Sequence, residues 1–159
     1  MGDKMKYFTK EFDQLCDTVD DREYLLKMTS EQYHKYWKEF ESCAQRLPKA
    51  FINHYKSKGF HDYNLEKLEL KKRTKARTFL DIILQLSDQG KYYEIHYYDV
   101  IKFETMIMED RYCQIGDYLD GEILPVNENY MSHEFYFHSD QNHILIHFKR
   151  LSFRKLKSL

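Results

Sequence analysis

The hydrophobic period of the chain changes at Gly59. Before it, apolar residues recur at steps of three and four; after it, they alternate. Such a chain must place its helices first and its strands second. In "TSEQYHKYWKEFESCAQRLP", Thr29 with Gln32 three residues on reads as a capping box. Tyr33, Tyr36, Trp37, Phe40, Ala44 and Leu47 then follow the helical period. Pro48 ends this helix or opens the next at its first turn. "PKAFINHYKSKG" puts Phe51, Ile52 and Tyr55 on one side, with Gly59 as a C-terminal cap. Upstream, "TKEFDQLC" and "DDREYLLKM" read as two short helices.

Beyond Gly59 the pattern is that of strands. In "ARTFLDIILQL", Leu80, Ile82, Leu84 and Leu86 alternate with Asp81, Ile83 and Gln85. In "YYEIHYYDVIKF", Tyr93, Ile95, Tyr97, Ile101 and Phe103 share one face. Strands are expected at 65–70 and 76–86, with turns at 71–75 and 87–90. Residues 104–120 read as a loop or as a short helix around "DYLDGE". Strands in sequence with short turns make an antiparallel meander. The expected fold is therefore α+β, with N-terminal helices packed on a C-terminal antiparallel β-meander sheet. The length suits one domain over 1–159, with a helical part at 1–58 and a β-rich part at 59–159. Residues 1–4, ahead of Met5, read as a leader or an alternative start.

"GFHDYNLEKLELKK", 59–72, contains the doublet His61-Asp62. In one class of metal-dependent phosphohydrolases such a doublet sits on helices and forms the metal core. Here it follows a helix-ending Gly and precedes Leu65, Leu68 and Leu70. Two ligands do not hold a metal, and the β context is wrong for that fold. The doublet is expected to hydrogen-bond the backbone where helix turns into sheet.

"HEFYFHSDQNHILIHF", 133–148, reads as a hairpin around the turn "SDQN". His138 then pairs with His143, Tyr136 with Leu145 and Glu134 with His147, all on one polar face. Phe135, Phe137, Ile144, Ile146 and Phe148 form an apolar face. His138, His143, His147 and Glu134 have the chemistry of zinc ligands. The two polar rungs lie four residues apart, about 13 Å along the strand, too far for one ion. The polar face is expected to be solvated, with a Glu134–His147 ion pair, no metal and no cofactor.

The sequence contains no GxSxG, P-loop, dinucleotide-binding glycine motif or HExxH, so no catalytic residue is assigned. Net charge is −1, which biases the chain toward neither nucleic acid nor membrane. The run "KKRTKAR" (Lys71, Lys72, Arg73, Lys75, Arg77) has no interleaved aromatic and reads as a solvated turn. Cys16, Cys43 and Cys113 form no CxxC and are expected to be reduced. With no signal peptide and no long apolar run, the cytoplasm is the expected compartment.

Charge is unevenly placed. Residues 104–142 carry nine acids against Arg111 alone, whereas 143–159 carry five bases and no acid. Either the two segments neutralise each other in the fold, or the acids form a face for a basic partner. Asp117, Tyr118, Asp120, Glu122 and Glu128 are the candidate partner-binding residues, with Tyr118 as the aromatic anchor.

"MKYFTKEF", Met5 to Phe12, resembles the opening of an uncharacterised family of bacterial proteins that begin Met-Lys-Tyr-Phe-Thr-Lys-Glu. "FHDYNLEKLEL", followed by a strand and then "YYEIHYYDVIKF", resembles a wider pattern. There a His-Asp doublet opens a β-meander whose third strand ends in a Tyr/Phe-x-x-Val step, here Tyr97 to Val100. This pattern is similar to that of immunity proteins of bacterial polymorphic toxin systems. "DYLDGEILPV", 117–126, resembles the family's Trp-Leu-Tyr-Asp-Glu segment, with Tyr118 in place of Trp. The resemblance implies a toxin-neutralising protein and supplies no catalytic residue. The expected function is a non-catalytic protein-binding module whose partner is a protein, in the sharpest form a basic toxin domain. The alternatives are a metal-dependent hydrolase using His61 and Asp62, or a general regulatory adaptor.

Overall fold

Three helices form where caps and period require them. The computed structural model describes residues 5–72, 80–106, 118–137 and 142–158, without the side chains of Lys10, Tyr118 and Leu119. Helix α1 (Lys10–Asp17) starts at Thr9, whose hydroxyl oxygen accepts from the Phe12 amide at 3.1 Å. Helix α2 (Arg22–Ala44) starts at Asp21, which accepts from the amides of Glu23 and Tyr24. It is a single helix of 23 residues, not two. The capping box expected at Thr29 does not form. Thr29 lies mid-helix and donates to the Leu25 carbonyl at 2.9 Å, while Gln32 donates to the Tyr7 carbonyl. A threonine hydroxyl satisfied within its own helix leaves nothing to end that helix. Pro48 occupies the cap position before α3 (Lys49–Ser57), and Gly59, at φ 65°, donates back to His54.

Eight strands follow: β1 (Asn64–Lys72), β2 (Leu80–Asp88), β3 (Lys91–Val100), β4 (Lys102–Met106), β5 (Tyr118–Pro125), β6 (Met131–Phe137), β7 (Asn142–Phe148) and β8 (Arg150–Leu156). The α+β expectation holds, and all paired strands are antiparallel. The strands divide into two sheets of four, ordered β1-β2-β3-β8 and β4-β7-β6-β5. Consecutive strands pair as a meander in each sheet, β1–β2–β3 in the first and β5–β6–β7 in the second. Gln89 and Gly90, both at positive φ, make the tight β2–β3 turn, so β2 runs on to Asp88. The turn expected at 71–75 begins within β1, and residues 73–79 lie outside the described ones.

The division arises inside "YYEIHYYDVIKF". Tyr97 pairs with Ile82 but Val100 pairs with Leu80, so β3 carries one extra residue there. Asp99, at φ 54°, absorbs the bulge, and its amide donates to Asp81. Tyr93, Ile95 and Tyr97 are buried as expected; Ile101, placed on that face by simple alternation, is exposed. Past the bulge the chain enters the second sheet as β4. The strand β7–β8 bends with it: Ile101 donates to the His147 carbonyl and Lys149 to that of Tyr98.

One apolar cluster joins the C-terminal half of α2, α3 and both sheets. The helices are tied to β5 by two phenols. The Ile123 amide donates to Tyr36 Oη, Tyr36 and Tyr55 hydroxyls meet at 2.6 Å, and Tyr55 donates to the Gly121 carbonyl. The chain of donors runs one way and satisfies two outward backbone groups of an edge strand, in place of a further strand. Removing either hydroxyl leaves a buried backbone group unsatisfied, about 1–3 kcal/mol.

Candidate functional site

His61 and Asp62 lie in the turn between α3 and β1. Buried Phe60 and Tyr63 flank them, and the Tyr63 amide closes the turn on the Phe60 carbonyl. Asp62 adopts φ 66°, and the two side chains, both exposed, pair with each other at 3.1 Å. Among the described residues no three His, Cys, Asp or Glu side chains are grouped to hold a metal ion.

The β6–β7 hairpin keeps its predicted faces but not its predicted register. Phe135, Phe137, Ile144, Ile146 and Phe148 are all buried. Glu134 pairs with Leu145, Tyr136 with His143 and Ser132 with His147, a slip of two residues from the expected rungs. His138 lies outside the described residues. Two further corrections follow. The face read as apolar also contains His133, fully buried, whose Nδ1 lies 2.7 Å from the Tyr97 hydroxyl. Burial pushes the His133 imidazole down to about 3, so it is neutral. The polar face is not solvated either: Leu145 is buried, Glu134 is 6% exposed, and Glu134 pairs with His143 at 3.1 Å rather than with His147.

That face forms the floor of a groove of about 270 Å³. Glu122 of β5 stands directly across the strand pair from Glu134, and Leu124 across from Ser132. The N-terminal segment and α2 supply one wall, through Lys6 and Glu39. Glu122 is 1% exposed and accepts from three successive amides, Lys6 (2.8 Å), Tyr7 (2.5 Å) and Phe8 (2.6 Å). Burial raises its carboxyl and the charge of Glu134 adds to that, against the pull of the three amides. Lys6 Nζ rests 2.5 Å from Glu39, which also accepts from the Tyr7 hydroxyl. Partial burial pushes the Glu39 carboxyl up, but these two donors outweigh it and leave it lowered.

The candidate partner-binding residues separate. Asp117 lies outside the described residues, and Tyr118 begins β5. Glu128 is exposed in the β5–β6 connection. Glu122 is buried, and backbone amides occupy both its oxygens beside the groove. Asp120 is half-buried near Asp13 and Tyr33. Burial and then the charge of Asp13 raise its carboxyl to about 6, with His61 acting against them. The acidic segment therefore meets α1 and α2. The described ion pairs of the basic tail go to β3: Arg154 to Glu94 at 2.7 Å and Arg150 to Asp99 at 3.7 Å.

The surface that sequence reading missed is helical. None of residues 22–35 of α2 is buried, and none of the described side chains of α1 is. Leu15, Tyr24, Leu26 and Tyr33 are each at least 47% exposed. Leu26 and Tyr33 lie two turns apart on one side of α2. Residues 9–33 carry seven acids, from Glu11 to Glu31, against Lys10, Arg22 and Lys27. The available signal was the lone Leu and Tyr residues set among those acids. No protein family model, curated protein sequence or solved structure matches the chain, so the likeness to immunity proteins rests on the sequence motifs alone. Among the described residues no helix is long and apolar enough to cross a membrane.

Proposed function

We propose that the chain is a non-catalytic protein-binding module that holds a basic protein partner against α1, the first half of α2 and Asp120. The observation that supports this is four exposed large apolar side chains set among an excess of acids, on helices with no described layer over them. Single exposed apolar residues are ordinary, but Leu26 and Tyr33 share one side of α2, and apolar side chains rimmed by charge suit an interaction surface. Leu15, Leu26 and Tyr33 would supply buried area, and the acids would steer a basic partner and raise its association rate. A toxin-neutralising immunity protein is the sharpest form of the reading, because a toxin that binds phosphate carries the basic surface these acids attract. The free thiols Cys16 and Cys43 suit action in the cytoplasm.

The test is hydrogen exchange on a complex captured from native cells and reconstituted from pure components. Slowed exchange across 10–33 is expected. A stoichiometric complex that protects other regions and leaves 10–33 unchanged rejects this surface.

A further inference from the structure

We propose that the outer edge of β1 is a dimer interface, where a second copy of the chain pairs its own β1 antiparallel about a two-fold axis through Leu68. None of the residues assigned to the α1–α2 surface takes part, so the two readings are independent. Strand β1 has nine residues, none of them buried, and forms one edge of the first sheet. It pairs with β2 alone, so every second residue directs an N–H and a C=O outward, and no described residue bonds to them. The other edges differ. Two phenols take outward groups of β5, α3 lies beside β8, and β4 has only five residues.

Lysine on an edge strand ordinarily repels a second strand. Here charge alternates in sign about Leu68, so a two-fold axis turns repulsion into a match. With Leu68 opposite itself, Lys67 stands opposite Glu69 of the second copy, and Glu69 opposite its Lys67. Within one chain these two side chains reach along the strand to each other at 2.6 Å, and each stays at least 40% exposed. Such an exposed pair is worth little, so exchanging it across the axis costs little. Leu68 is the midpoint of Asn64–Lys72, which lets the whole strand take part, whereas an axis at Leu70 would leave only 68–72 paired. The bulge of β1, between Leu65 and Lys67, lies outside the central rungs. The apolar face agrees. Leu68 and Leu70 pair with Leu84 and Ile82, carrying the core side of the sheet out to its rim, where Leu70 is 54% exposed. Pairing sets Leu68 against its copy and Leu70 diagonal to it, so four leucines cover one another. The product is one continuous sheet of eight strands. Two strand edges bury less area than a permanent dimer does, so the equilibrium should depend on concentration.

The test is sedimentation equilibrium of the full chain over a concentration series. A monomer–dimer equilibrium is expected. Lys67→Glu sets like charges opposite each other on both central rungs, and so does Glu69→Lys. Each should weaken the dimer about tenfold or more. An equimolar mixture of the two variants restores opposite charges on both rungs and should recover the dimer, seen as a mixed species by native mass spectrometry. A monomer at every concentration, a dimer that both variants leave unchanged, or a mixture no tighter than its components would overturn the proposal. If either variant fails to fold by circular dichroism, the exchanged chain Lys67→Glu with Glu69→Lys decides, since it should dimerise as the unaltered chain does. No other protein enters these measurements, so their failure leaves the α1–α2 reading standing, and the reverse holds.

Discussion

A neutral imidazole sealed in the core makes the protein acid-sensitive in a calculable way. His133 is fully buried against Tyr97, with its pKa pushed down by burial to about 3. In the unfolded chain a histidine titrates near 6.5. Above that value both states are neutral and the group contributes no pH dependence. As pH falls below 6.5, the unfolded chain takes up a proton that the folded chain refuses, so stability falls by at most about 1.4 kcal/mol per pH unit, until the folded pKa is reached. Between pH 6.5 and 5 the loss is about 2 kcal/mol, a sizeable fraction of the 5–15 kcal/mol typical of a domain. Asp120 works in the opposite sense: its raised carboxyl takes up a proton in the folded state first, so stability rises as pH falls from about 6. The two are separated by difference. Replacing His133 by Leu and Tyr97 by Phe removes both hydrogen-bonding partners together, which limits the penalty of an orphaned polar group. Urea unfolding of wild type and double variant at half-unit steps from pH 5 to 8 is the assay. The difference in stability should shrink in favour of the variant by about 2 kcal/mol from pH 6.5 to 5. An unchanged difference over that range would mean that His133 titrates normally in the fold and is not sealed.

Three further outcomes are expected. Phe137→Ala empties a fully packed core position and should destabilise by roughly 3–5 kcal/mol in denaturant unfolding. Glu122→Ala leaves three amides without their acceptor and should speed hydrogen exchange at Lys6, Tyr7 and Phe8, whereas Glu128→Ala, at an exposed carboxylate, should not. Elemental analysis of tag-free protein should find no stoichiometric metal. About one zinc, iron or manganese per chain, lost on replacing His61 or His143, would reverse the reading of both sites.

Hydrophobic alternation made the hairpin faces legible, because a side chain on the wrong face would bury charge or expose Phe137. It could not set the register: a slip of two residues leaves every side chain on its own face. His133 was within reach of the same logic, since it shares parity with Phe135 and Phe137, yet its hydroxyl partner lies in another sheet. The helix was split at Thr29 because a capping pair in sequence resembles one in space, whereas Asp21 holds the true cap. Two features had no local signal. The switch between sheets depends on a single bulge at Asp99. The role of Glu122 depends on amides more than a hundred residues away. The candidate surface moved for the same reason: Asp120 was read with its sequence neighbours, and the fold sets it beside Asp13 and Tyr33.

The central claim is that α1 and the first half of α2 form an acidic docking surface. Its most direct test is the association rate of the protein partner with a chain carrying Asp13→Lys, Asp17→Lys and Glu23→Lys, measured by stopped flow from low to high salt. All three side chains are exposed, so the fold should survive. Association should slow by about tenfold or more at low salt and lose most of its salt dependence, with dissociation little changed. An unaltered rate and salt slope, in a variant that stays folded, would contradict the account and place the partner on another face of the molecule.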